Sequence, residues 1–429
     1  MQFPHLVALV LCITPSSAFG QVEREPADRT REEERVAGWR SDIDYLVREA
    51  QTAHAGPERP AFSEGFLDHV ARLRLGIPEL SNDQVHTSLM KLLAILNDGH
   101  TALHGPRSDT KLEFTQGVLP FKFYWFPSGI YVVSGAGEWA DYAGSQVLQF
   151  GELPAEEVLS RMSAYRGVDN DMMWTWVGPQ FYLGQLSLLR EVGVAVEQGA
   201  VRVLIRTAEG EQRSLEVAGG EHRHLRKLRP FPFQSGEPPL YLSSVDTNYW
   251  IKSMPEHGAV YVQFNQVRDA PLESLAAFSE RLRQTLTTVH ASNLIVDVRH
   301  NNGGNNTLLR PLVRAMIEFE MRSPEHKLFV LMGRNTFSAA QNFINRVERW
   351  TSAVFVGESS SSCPNFVGES NEFVLPFSRL EGSISNLYWQ DSDPWDRRKA
   401  IAVNLPVVLT AEQYFEGIDP VLELVLGQL

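Results

Sequence analysis

Cysteine is almost missing from this chain, with two among 429 residues. Cys12 lies in a leading apolar stretch, so Cys363 would be the only thiol of a processed chain. That excludes an intramolecular disulfide framework, and the fold must rest on its apolar cores. Long apolar runs are also missing. The stretch from Leu6 to Ile13 is too short to span a bilayer, and no other segment qualifies. Positive charge is scarce, with 39 Lys and Arg against 52 Asp and Glu and a net charge of −13. No long basic run occurs, which argues against a nucleic-acid partner. Neither a G-x-G-x-x-G fingerprint nor a G-x-S-x-G elbow is found, and no internal repeat is evident. What remains is a soluble, globular composition, 43% hydrophobic and 21% charged, long enough for two or three domains.

The first twenty residues read as a secretory signal: the short apolar stretch is followed by Ala18-Phe19-Gly20, small residues suited to cleavage. Residues 21–35 are highly charged and predict a mobile leader. From residue 36 to about 112 the apolar spacing is helical, with Trp39, Ile43, Leu46 and Ala50 on one face and Ser81-Asn82 as a helix start. Residues 113–224 change to short β-like runs at 121–126, 130–134 and 145–150 and a hairpin around Gly210, interrupted by a helical insert near 174–192. Residues 225–429 alternate strand and helix, the signature of an α/β layer whose ligand sites lie beyond the carboxyl ends of the strands.

Two strand-to-helix switches in that last region carry the chemistry. In the first, Leu294 to Arg299 is followed by His300-Asn301-Asn302-Gly303-Gly304. The glycine pair is a tight turn, and no lysine follows it as a phosphate cradle needs. It can also offer backbone N–H groups to an oxyanion. In the second, the strand Lys327 to Met332 leads through a short turn to Ser338, where a helix begins. Ser338 with Gln341 matches a helix capping box, and taken alone it reads as a cap. The same position exposes a hydroxyl beside helix N–H groups. A serine nucleophile needs a base, and His100, in Asp98-Gly99-His100-Thr101 at a helix end, is a base candidate. The polar loop Asp391-Ser392-Asp393-Pro394-Trp395-Asp396 offers carboxylates that could orient it. Cys363, in a serine-rich loop without a cysteine-protease signature, reads as an incidental thiol.

Taken together, Leu96-Asn97-Asp98-Gly99-His100-Thr101, Asp297-Val298-Arg299-His300-Asn301-Asn302-Gly303-Gly304-Asn305, Asn335-Thr336-Phe337-Ser338-Ala339-Ala340 and Val356-Gly357-Glu358 resemble the tail-specific (C-terminal processing) and tricorn-core serine peptidases. The resemblance spans nearly all of the mature chain. It implies an α/β catalytic core of ClpP/crotonase-like layering, an N-terminal helical domain and a degenerate PDZ-like β module, in which Ala143 to Leu148 match the module's turn and strand. It also implies an exported, periplasmic or secreted peptidase that acts on peptides or proteins through an acyl-enzyme, without cofactor or metal.

The processing branch of that family uses a lysine base, but 358–365 here contain no lysine. The tricorn-like histidine branch fits better, with Ser338 as nucleophile, His100 as base and Asp396 as the acidic orienter. The expected oxyanion donors are the backbone N–H groups of Gly303 or Gly304 and of Ala339. Gly99 stands where that branch often has a hydroxyl residue before the histidine. The alternative is a catalytically inactive member that binds a peptide or an apolar ligand.

Overall fold

The computed structural model describes residues 26–221 and 238–429; the expected signal at 1–20 lies outside them. Among the described residues no helix is long and apolar enough to cross a membrane.

The amino-terminal part is helical. Helices Pro26–Ala53, Glu64–Gly76 and Asn82–Ala94 pack Trp39, Ile43, Leu46, Phe66 and Leu89 into a core from which water is excluded. The third helix starts with a complete capping box, Ser81 with Gln84. The mobile leader expected over 21–35 is a different matter, because from Pro26 onward it belongs to the first helix. The reason is visible at Arg35. Its guanidinium pairs with Glu32 one turn earlier at 2.8 Å and also donates to the Ile77 carbonyl at 2.9 Å, so charge ties this turn to the helical layer. Strand β1 (Ala102–Pro106) follows the third helix.

The next region is an antiparallel sheet of β2 (Phe121–Phe126), β3 (Gly129–Gly135), β4 (Gln146–Phe150), β6 (Ala200–Arg206) and β7 (Gln212–Ala218), in that order, with a short β5 (Leu153–Pro154) beside β4. Helix Ala155–Met162 and an insert containing helices Asp171–Val177 and Leu186–Glu191 complete it. The helical and β regions are not separately cored. Leu92, Leu93, Leu119, Phe123 and Leu186 belong to one continuous apolar cluster.

The remainder is α/β. Strands β8 (Tyr249–Met254), β9 (Ala259–Phe264), β10 (Asn293–Asp297), β11 (Lys327–Met332) and β12 (Val354–Gly357) form a second sheet. Strands β9 to β12 are parallel neighbours, β8 is antiparallel at one edge, and β15 (Leu405–Pro406) pairs with β12 at the other. Helices Leu275–Thr288, Arg310–Met321 and Ala339–Trp350 supply the crossovers. β9 and β10 are buried along their whole length, as parallel strands covered on both faces should be.

Strands β13 (Asn365–Val374) and β14 (Leu380–Gln390) form a long hairpin that pairs with β1, giving a three-stranded sheet in the order β1-β14-β13. Phe373, Leu380 and Ile384 of this hairpin enter the apolar cluster of the amino-terminal regions. The last third of the chain therefore reaches back and fixes the strand that follows His100.

Candidate active site

Strands β10 and β11 are neighbours, so their carboxyl ends lie side by side, and each ends in a turn that carries chemistry. The two turns are stitched together. Phe337 N–H donates to the Asn301 carbonyl at 3.0 Å, and the Thr336 hydroxyl donates to the Val298 carbonyl at 2.9 Å. Within the first turn, Asn301 donates through Nδ2 to the Phe264 carbonyl and accepts the Gly303 N–H at 3.0 Å.

Ser338 sits just before helix Ala339–Trp350 with φ 58° and ψ −123°, a region that L residues rarely occupy. Its side chain makes no capping hydrogen bond to that helix. Instead Oγ lies 2.9 Å from Nε2 of His100, 238 residues away in sequence. The local strain turns the hydroxyl away from its own helix and toward the imidazole.

β1 and the loop before it place that imidazole. Ala102 pairs with Ser383 of β14, and the Ser383 hydroxyl donates to the His100 carbonyl at 2.9 Å. Asp98 accepts the backbone N–H groups of His100 and Thr101 at 2.9 and 2.8 Å, the Ser385 hydroxyl at 2.5 Å and, on its other oxygen, His54 Nε2 at 3.0 Å. Burial alone would raise the Asp98 pKa, but the hydrogen bonds from His54, Ser385 and Thr101 outweigh it and hold the group below its usual range. Arg166 grips the loop from the other side, donating to the carbonyls of Gly99 and Thr101.

The ring itself is held by aromatics. It stacks between Phe337 and Phe366, with centroids at 4.5 and 5.8 Å and interplanar angles of 24° and 13°. Burial pushes its pKa down to about 4, against the opposing charge of Asp98, so the imidazole is neutral at neutral pH. A neutral ring whose Nε2 accepts the serine proton carries its own hydrogen on Nδ1. Nδ1 is buried without a hydrogen-bond partner among the described residues, although the Val367 backbone beside it favours the protonated ring.

Asp396 is not that partner. Its carboxylate accepts the Ser392 hydroxyl at 2.8 Å and the Arg398 side chain at 2.7 Å, which hold its pKa far below the usual range. The arginine two residues on captures the acid expected to orient the base. Asp391 faces Arg346 at 3.6 Å, and Asp393 accepts the Trp395 N–H at 2.9 Å. No carboxylate of the 391–396 loop hydrogen-bonds to the ring.

The oxyanion expectation divides. The Gly303 N–H is taken by Asn301, whereas those of Gly304 and Ala339 have no partner among the described residues. Gly303 matters through its missing side chain. At φ 110° a Cβ there would lie 2.8 Å from Ser338 Cβ, 3.0 Å from Ala339 N and 3.1 Å from Ser338 Oγ. Only glycine lets the first turn come this close to the serine.

Gly99 also has a steric reason. A Cβ at that position would meet Met173 Sδ and Phe337 Cε2, each at 2.8 Å. The hydroxyl residue expected before the histidine has no room here. Its place is taken by the helical insert, whose Met173, Trp176 and Val177 pack against Phe337. Cys363 is half-buried, its thiol pushed up to about 11 by burial, so it is a poor nucleophile. Sequence reasoning missed Asp169, Arg166, Phe366 and Ser362. None belongs to a pattern, and only the folded chain brings them to the site.

Comparison with known proteins bears on the fold. No family model matches the chain, and no curated protein matches it. Among solved structures, mature CPAF complexed with lactacystin is similar at 12% identity and a TM-score of 0.65, over 92% of this chain and 97% of that one. Mature CPAF alone is similar at 13% identity and a TM-score of 0.62, over 91% and 96%. The photosystem II D1 C-terminal processing protease aligns at 13% identity with a TM-score of 0.41, over 87% and 94%. The chain has the fold of mature CPAF.

Proposed function

We propose that this chain is an exported serine peptidase that cleaves peptide bonds through an acyl-enzyme. The observation that carries the reading is the 2.9 Å contact between His100 Nε2 and Ser338 Oγ, made by a strained serine at the carboxyl edge of a parallel sheet. In the reaction His100 takes the Ser338 proton as Oγ attacks the scissile carbonyl, then returns it to the leaving amine. The N–H groups of Gly304 and Ala339 stabilise the oxyanion, each typically worth a few kcal/mol. His100 is kept neutral by burial and held by ring stacking, so a Ser–His pair does the proton transfer without a carboxylate on Nδ1. The sheet formed by β2 to β7 acts as a PDZ-like module that takes an extended peptide along an edge, and the α/β core has ClpP/crotonase-like layering.

An Nδ1 with no carboxylate on it favours one competitor, an inactive relative that holds a ligand in the same cleft. A fluorophosphonate probe separates the two. The peptidase is labelled and hydrolyses a peptide library, and Ser338→Ala abolishes both. Lactacystin, seen bound to CPAF, is expected to block labelling. Labelling that survives in Ser338→Ala rules out this nucleophile, and a wild-type protein that never labels or turns over leaves the binding role.

A further inference from the structure

Asp169 lies in the loop that enters the helical insert, and the reaction as described does not use it. It is buried, with 8% of its surface exposed. Its Oδ1 accepts the N–H of Gly99, the residue before the base, at 2.8 Å. Its Oδ2 is buried without a hydrogen bond of ordinary geometry. Beside it is the hydroxyl of Ser362, which favours the ionised carboxyl. The same Ser362 Oγ accepts the backbone N–H of Ser338 at 3.3 Å. The segment is anchored on both sides. Asn170 donates to the carbonyls of Ser360 and Lys399 at 3.0 and 2.7 Å, and the Cys363 thiol donates to the Asp169 carbonyl at 3.3 Å.

A buried carboxyl that served only the fold would be expected beside a cation. Among the described residues Asp169 has no ion pair. The nearby Arg166 spends its donors on the Gly99 and Thr101 carbonyls, and the neighbouring charged carboxylate is Asp98, bound to His54. Burial first, and then the charge of Asp98, raise the Asp169 pKa to about 7, with Gly99, Ser362 and Arg166 opposing. A costly acid with no paired cation, bonded to the residue that precedes a catalytic base, is a functional signature.

We propose that Asp169 is a positioning residue of the Ser338–His100 pair, its ionised carboxylate joining the histidine loop to the serine turn through the Gly99 N–H on one side and the Ser362 hydroxyl on the other. This rests on the peptidase reading of the same site. When ionised, the group accepts from both neighbours, and the Ser362 oxygen still accepts the Ser338 N–H. Its charge also favours the imidazolium that forms as the serine loses its proton. When protonated, it loses that charge and no longer accepts from the Ser362 hydroxyl, so the link between the two loops weakens. Activity therefore rises in two steps as the pH increases. One step belongs to His100 near about 4, the other to Asp169 near about 7. The groups facing Asp169 are Asp98, Arg166 and Cys363. None of these three supplies the upper step: the Asp98 pKa is held low, arginine stays charged and the Cys363 thiol is up at about 11.

The test is the rate of fluorophosphonate labelling of the full chain, followed from roughly pH 5 to 9, with thermal melts to verify folding. The wild-type rate should climb through neutrality. Asp169→Asn should lose that step and label at least ~10-fold more slowly at pH 8. Ser362→Ala, which removes a contact that lowers the Asp169 pKa, should move the step to higher pH, and it decides the matter if Asp169→Asn does not fold. A folded Asp169→Asn with the wild-type rate and step overturns the proposal while leaving the peptidase reading intact, as does an unmoved step in Ser362→Ala. A wild-type protein that is never labelled overturns both.

Discussion

Two glycines set the spacing of the Ser338 and His100 segments, and they were legible in the sequence to different degrees. Gly303 follows a buried strand in a pair, a pattern that calls for positive φ, and the structure places it against Ser338. Gly99 stood out only as a departure from a family pattern, and its cause, the approach of Met173 and Phe337, is tertiary. Asp169 was not legible at all, because a single aspartate in a loop gives no sign that the insert will bury it. Gly303→Ala tests the first reading. The added methyl meets Ser338 Cβ at 2.8 Å and forces a side chain into φ 110°. We expect a loss of ~1–3 kcal/mol in denaturant unfolding. We also expect kcat/KM to fall by ~100-fold, because the nucleophile is displaced from its base. Wild-type kinetics in this variant would mean that the two turns are not in the tight contact described.

At the scale of elements, the alternating strands and helices of the α/β core were readable from buried apolar runs, and both strand-to-helix switches lie at the carboxyl ends where such sheets place ligands. The β13–β14 hairpin was not. Glu369 to Glu372 in the middle of β13 are polar and exposed, so its pattern resembles a loop, yet its partner β14 holds β1 and thereby delivers His100. A second connection runs through the turn after β11. Arg334 pairs with Glu358 at 2.6 Å, donates to the Trp125 carbonyl of β2 at 2.7 Å and lies over the Tyr124 ring at 4.4 Å. This part-buried ion pair ties the β module to the serine turn. Arg334→Met removes the cation that pairs with the part-buried Glu358, so denaturant unfolding should show a loss of ~1–3 kcal/mol. Adding Glu358→Leu removes the stranded charge and should recover most of it. A double variant no more stable than the single one would show that the pair is not behaving as a unit.

Across the whole molecule, the described residues hold more neutral histidine than the composition suggests. His86, His100 and His300 are each pushed down to about 4, chiefly by burial. Unfolded histidines titrate at 6.5, so between the two values the unfolded chain binds more protons than the native one. Stability contributed by these groups is fully present above 6.5 and is lost as the pH falls toward 4. Asp169 acts with the opposite sign. Its raised pKa makes the native state the better proton binder between 3.8 and about 7, so it offsets part of the loss. The three histidines outnumber it, and the net expectation is a Tm that declines from neutral pH to pH 4. His86 separates this effect from catalysis, since it packs against Phe114 in the helical region. Between the two pKa values each such histidine contributes up to ~1.4 kcal/mol of stability per pH unit. The Tm of His86→Gln should therefore fall less steeply with acid than that of the wild type. Curves for the two proteins that run parallel from neutrality to pH 4 would show that His86 is already protonated in the native state, and that its burial is not what shapes the acid limit.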